Sequence, residues 1–155
     1  MKFLEELNKR VLILDGAMGT EIMKKIGSSD FGCPELMNIE SKELIIDIHK
    51  SYIKAGADII ETNTFGGNRL KLKEYGLGER VKELNLAGVD IAKRAIRETG
   101  KNIFIAGSIG PLGKLISPLG ELNEQTVFDG YFEQQPGTTP QTAPVWVESF
   151  LKHIP

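Results

Sequence analysis

Ala57–Arg69 reads ADIIETNTFGGNR. It opens on an apolar pair, Ile59-Ile60, turns polar over Glu61-Thr62-Asn63-Thr64 and breaks at Phe65-Gly66-Gly67; a helix-ending Ala55-Gly56 stands before it. This pattern predicts a short buried strand followed by a loop that carries chemistry at the strand's C-terminal end. Two other stretches share it. Val11–Thr20, VLILDGAMGT, runs apolar into Asp15-Gly16, and Ile103–Gly113, IFIAGSIGPLG, runs apolar into Gly107-Ser108. A strand covered on both faces loses its two-residue alternation and becomes a continuous apolar run. Three such runs predict a parallel sheet sheathed by helices.

Helical spacing fills the intervals. Phe3, Leu4 and Leu7 share one side of a short helix over residues 1–9, suited to a lid under the sheet. A short helix is predicted over Glu21–Ile26, then an irregular stretch, Gly27–Leu36, rich in turn formers. Ser41 is placed to N-cap a helix through Ala55, with Leu44, Ile45, Ile48, Tyr52 and Ile53 at helical spacing and Gly56 at the C-cap. Helices are also predicted over Arg69–Tyr75, Glu79–Glu98 and Glu124–Glu133, with a Gly/Pro-rich loop at Ser108–Asn123. Strands alternating with helices predict βαβ crossovers, in either an open doubly wound sheet or part of a (β/α)8 barrel. The end of the chain departs from this pattern. Gln134–Pro144, QQPGTTPQTAP, has no apolar period, and Val145–Ile154 reads as one more short amphipathic helix. The chain therefore divides into residues 1–133 and 134–155.

The 155 residues carry a net charge of -2, with 41% hydrophobic and 26% charged side chains. That balance offers no basic footprint for nucleic acid and no polybasic patch for a membrane surface. No apolar run approaches the ~20 residues that cross a bilayer. The mixed-charge start, MKFLEELNKR, is not a secretory signal. A single cysteine, Cys33, allows no internal disulfide and suits a reducing cytoplasm.

Each candidate site residue has a plain structural alternative. Asp15-Gly16 can bind a substrate amine and expose backbone N–H groups to a carboxylate, or simply form a turn. Glu61, Thr62, Asn63 and Thr64 set polar groups at a sheet edge where α/β ligands bind, or cap the next helix. Gly107-Ser108-Ile109-Gly110-Pro111 permits close approach of a ligand or forms a tight turn; with no helix directly behind it, it is not a dinucleotide fingerprint. Cys33, His49 and His153 are scattered, so no zinc site is expected from them.

VLILDGAMGTEI, PELMNIESKELI, HKSYIKAGADIIETNTFGGNRLKL and IAGSIGPLG, in that order and spacing, resemble the N-terminal part of the homocysteine S-methyltransferase family over about Val11–Gly120. The resemblance implies a (β/α)8 barrel in which three cysteines hold zinc and the metal keeps the homocysteine sulfur as a thiolate. It implies that Asp15 and Gly16 hold the amino-acid end of homocysteine. It also implies that Asn63, Thr64 and Phe65 line the pocket, with Glu61 and Thr62 in support. In the family a Cys-Cys pair precedes Gly-Thr-Thr-Pro. Here Gly137-Thr138-Thr139-Pro140 is preceded by Gln135-Pro136, and Cys33 matches no zinc position. The expected fold is α/β, a truncated barrel of about three parallel β-α units joined near Glu133 to a remnant of the family's C-terminal end or to an unrelated tail. The expected function is that of an incomplete homocysteine S-methyltransferase, without bound zinc, without catalytic residues of its own and inactive alone. The methyl donor is not readable. The alternative is a non-catalytic assembly piece that self-associates or docks with a partner chain through open sheet edges.

Overall fold

The computed structural model describes residues 3–134. The elements expected over 135–155, and His153 among them, lie outside the described residues. In chain order the elements are α1 (Phe3–Leu7), α2 (Met18–Ile26), a 3-10 turn (Pro34–Leu36), α3 (Met37–Glu40), α4 (Lys42–Ala55), β1 (Ile59–Glu61), α5 (Arg69–Lys73), a second 3-10 turn (Gly78–Arg80), α6 (Val81–Thr99), β2 (Phe104–Ala106) and α7 (Glu124–Gln134).

β1 and β2 pair in parallel, with Ile59 opposite Phe104, Ile60 opposite Ile105 and Glu61 opposite Ala106. The strand expected at Val11–Leu14 is reduced to one parallel bridge, Leu14 to Ile59. The segment does lie alongside β1, since the Asp58 and Ile59 amides donate to the Ile13 carbonyl and Asp15 N–H donates to Ile59 O. The next rung is taken by a side chain. Ile13 N–H donates to the Asp58 carboxylate at 3.0 Å, and Arg10 pairs with the same carboxylate at 2.9 Å. Among the described residues, no backbone hydrogen bond engages Leu12 or Leu14 on the far edge.

Burial of the sheet on both faces is also corrected. Ile60 is fully buried while its neighbours Ile59 and Glu61 are only half-buried, as are all three residues of β2. Successive strand residues point to opposite faces, so one face is fully buried at Ile60 and the other is only partly covered. The covered face packs Ile60 with Ile45 and Ile53 of α4 and Ile91, Ala92 and Ala95 of α6. On the other face, the Phe3 ring of α1 meets Phe104 edge-on at 5.3 Å. Two of the three apolar runs form strands and the first forms a single bridge, and apolarity alone does not say what covers each face.

The helix ends follow local rules. Gly56 and Gly100 adopt left-handed caps at φ 111° and 64°, as expected of glycines that close α4 and α6. Ser41 makes no side-chain cap bond. Capping falls to Asn68, which accepts Lys71 N–H at 2.9 Å, and to Asn123, which accepts Thr126 N–H at 2.8 Å. No described helix is long and apolar enough to cross a membrane.

His49 lies fully buried on α4 with neither ring nitrogen hydrogen-bonded among the described residues. Burial lowers its pKa from 6.5 to about 4. The native state therefore binds fewer protons than the unfolded chain between these values, and stability falls as pH drops through that window. We expect acidification from pH 7 to pH 4 to cost up to about 3 kcal/mol through this residue alone. Urea unfolding of a His49→Leu variant should show that slope flattened and the pH 7 midpoint raised, because an orphaned buried N–H is removed.

Candidate functional site

The C-terminal ends of β1, β2 and the Leu14 segment converge. Both carboxylate oxygens of Asp15 accept the Glu61 N–H at 3.1 Å, which fixes the Asp15-Gly16 turn against the end of β1. Desolvation raises the Asp15 pKa to about 6 despite that bond, with repulsion from Glu61 adding to it. Gly16 is required by close approach: a Cβ there would stand 2.8 Å from the Tyr52 hydroxyl, which donates to the Ala17 carbonyl.

Beyond the strands, side chains continue the register. Ser108 N–H donates to Thr62 Oγ1 at 3.1 Å, the Thr62 and Thr64 hydroxyls lie 2.7 Å apart, and Thr64 Oγ1 donates to Ser108 O at 2.8 Å. Because Thr64 spends its proton on Ser108, the shared proton between the two threonines comes from Thr62. Gln134 of α7 donates to the carbonyls of Thr64 and Ser108. Asn63 turns its amide outward, donating to Pro34 O at 2.7 Å and Asn38 Oδ1 at 2.9 Å. Asn38 returns a bond to Asn63 O at 2.7 Å. Gly88 of α6 lets this loop sit directly on the helix, since a Cβ there would fall 2.7 Å from Thr64 Cγ2.

These loops enclose an open cavity of about 460 Å³, a size suited to a small ligand. Asp15, Gly16, Glu61, Thr62, Asn63 and Phe65 line it. Thr64 does not; its hydroxyl is consumed within the loop. Phe65 hangs at the mouth, 59% exposed, with its carbonyl held by Gly110 N–H at 2.8 Å. Met18, Pro34, Glu35, Lys71 and Tyr75 also line the cavity, and none of them is among the candidates drawn from residue order. They sit on helix or turn segments whose amphipathic spacing gave no sign that they reach a strand-end loop.

No group of His, Cys, Asp and Glu among the described residues is arranged to hold a metal. Cys33 is buried, its thiol donates to Glu35 Oε2 at 3.3 Å, and desolvation pushes its pKa up to about 11. His49 belongs to the core and does not line the cavity.

A family profile described as homocysteine S-methyltransferase matches residues 12–147. Methionine synthase of Mycobacterium tuberculosis is 36% identical over 138 residues, 84% of this chain but 12% of that protein. Methionine synthase of Mycobacterium leprae is 36% identical over 142 residues, 86% of this chain and again 12% of the relative. The chain thus spans a small fraction of the curated relatives it matches. Among solved structures, the metallated form of the homocysteine methyltransferase MmuM from Escherichia coli superimposes with a TM-score of 0.68 at 23% identity, covering 92% of this chain and 53% of that one. Its oxidized form gives a TM-score of 0.59 at 31% identity, covering 69% of this chain and 40% of that one.

Above pH 6 the half-buried Asp15 is ionised at a cost to folding. Its native carboxyl protonates near 6 and its unfolded one near 3.8, so stability falls as pH rises through that interval. We expect Asp15→Asn to raise stability at pH 7.5 by on the order of 1 kcal/mol after solvent screening. The gain should vanish toward pH 4 in thermal melts of the two proteins.

Proposed function

The chain belongs to the homocysteine S-methyltransferase family, and on that premise we propose that its cavity takes the amino-acid end of homocysteine. The supporting observation is the partly desolvated Asp15 carboxylate, locked to the end of β1 and opening on the cavity beside Gly16. A carboxylate there suits an ammonium group, and the turn's backbone N–H groups suit a carboxylate. Phe65 and the backbone of Asn63 form the facing wall, while Thr62 and Thr64 hold that wall in shape.

Zinc is the metal the family resemblance implies, and the described residues do not fit it. There is one cysteine in the chain, its thiol is bonded to Glu35, and among the described residues no group of His, Cys, Asp and Glu gathers round it. We therefore assign these 155 residues a binding role without methyl transfer of their own, in the cytoplasm, where a lone thiol stays reduced. Purified chain should carry well under one equivalent of zinc by elemental analysis and give no methionine from homocysteine with either methyl-cobalamin or S-methylmethionine. Stoichiometric tight zinc, or turnover, would refute this assignment. Calorimetric binding of L-homocysteine, lost in Asp15→Ala, tests the binding half separately.

A second reading has its own support, the exposed segment before Asp15. Val11, Ile13 and Leu14 are 86%, 59% and 49% exposed beside an edge whose Leu12 and Leu14 amides have no described backbone partner. Such an apolar edge favours a protein partner or self-association. On this reading light scattering finds assemblies at micromolar concentration that Ile13→Lys disperses; a stable monomer at all concentrations counts against it.

A further inference from the structure

Glu35 is 4% exposed, yet it lines the same cavity as Asp15 and Glu61. Its Oε1 accepts Gly66 N–H at 2.7 Å and its Oε2 accepts the Cys33 thiol at 3.3 Å. Gly110 N–H holds the Phe65 carbonyl from the other side, so the Phe65-Gly66 corner is pinned between the 3-10 turn and the loop after β2. Neutral donors of this kind leave a buried carboxylate without a counter-charge. No Lys, Arg or His forms an ion pair with Asp15, Glu35 or Glu61 among the described residues. Lys71, the basic residue lining the cavity, has its ammonium 3.2 Å from Glu74.

The cavity therefore presents three carboxylates against one ammonium that already has a partner. Removing a carboxylate from water without a cation costs several kcal/mol, and two hydrogen bonds offset only part of that. A ligand cation entering the cavity would gain what the protein withholds. The apolar contact offered by Phe65 and Met18 suits a short aliphatic chain attached to that cation. We propose that Glu35 is a substrate-binding residue that, together with Asp15, receives the α-ammonium group of the amino-acid ligand while its other contact holds the Phe65-Gly66 corner in place. This rests on the reading of the cavity as an amino-acid site and adds to it the residue that selects for the ammonium.

The test uses the full chain under reducing conditions, with L-homocysteine and its analogue lacking the amino group, 4-sulfanylbutanoate. Glu35→Gln keeps an oxygen to accept Gly66 N–H but loses the charge. We expect it to bind L-homocysteine roughly tenfold more weakly, the scale of one charge-assisted contact, while its affinity for 4-sulfanylbutanoate and its Gly66 amide signal stay as in the unmodified chain. Equal weakening for both ligands, or none for either, overturns the proposal while leaving the amino-acid site standing. An unmodified chain that binds neither ligand overturns both. Should Glu35→Gln not fold, the side-chain carboxyl 13C signal of Glu35 in the unmodified chain decides. It must shift on adding L-homocysteine and stay put with 4-sulfanylbutanoate; any other pattern overturns the proposal.

Discussion

The hydrogen bonds that shape the cavity run through hydroxyl groups, not through the strand ladder. β1 and β2 are three residues long, and their last backbone rung is Thr62 N–H to Ala106 O at 2.9 Å. From there the link passes from Ser108 N–H through the Thr62 and Thr64 hydroxyls and back to the Ser108 carbonyl. Each hydroxyl accepts once and donates once, so the direction of every bond is set by its neighbour, and such chains strengthen one another in a low-dielectric interior. All three residues are buried, so loss of any link strands a polar group at about 1–3 kcal/mol. That penalty keeps two loops of different strands in one arrangement with no ligand needed to order them.

Around this ring, packing and electrostatics pull in opposite directions. α4 and α6 supply an isoleucine-rich layer against Ile60 that stabilises the sheet, each buried Ile contributing about 1.5–3 kcal/mol. The strand ends carry the Asp15 carboxylate, which burial disfavours. The arrangement is the one expected where a scaffold holds a site that is strained until something binds. α6 serves both sides, burying Ile91, Ala92 and Ala95 against the sheet while Gly88 and Asn85 seat the loop, Asn85 donating to Gly67 O at 2.8 Å.

Much of this was visible in residue order. Ile59-Ile60 and the run from Ile103 announced strands, Gly56 announced a helix end, and Asp15 and the Glu61–Phe65 run marked strand ends that do meet around one cavity, Thr64 excepted. What residue order hid was long-range. Nothing in VLILD shows that Asp58 will take the Ile13 amide and cut the first strand to a single bridge. Thr64 resembles its neighbours in the chain, and only the position of Ser108 turns its hydroxyl away from the cavity. Glu35 falls in the stretch expected to be irregular; its reach to Gly66 depends on a contact thirty-one positions away. Spacing rules see neighbours within a turn or a pleat, and these contacts are set by how separate elements stack.

The single bridge at Leu14 has a dynamic corollary. The part of the segment before Ile13 makes no backbone bond to the sheet among the described residues, so it belongs to the low end of a protein's spectrum of opening energies, and excursions there need not disturb the isoleucine layer. Asp15 closes that segment off, tied to β1 through the Ile59 carbonyl and the Glu61 amide, so fraying from the chain's start halts before it reaches the cavity.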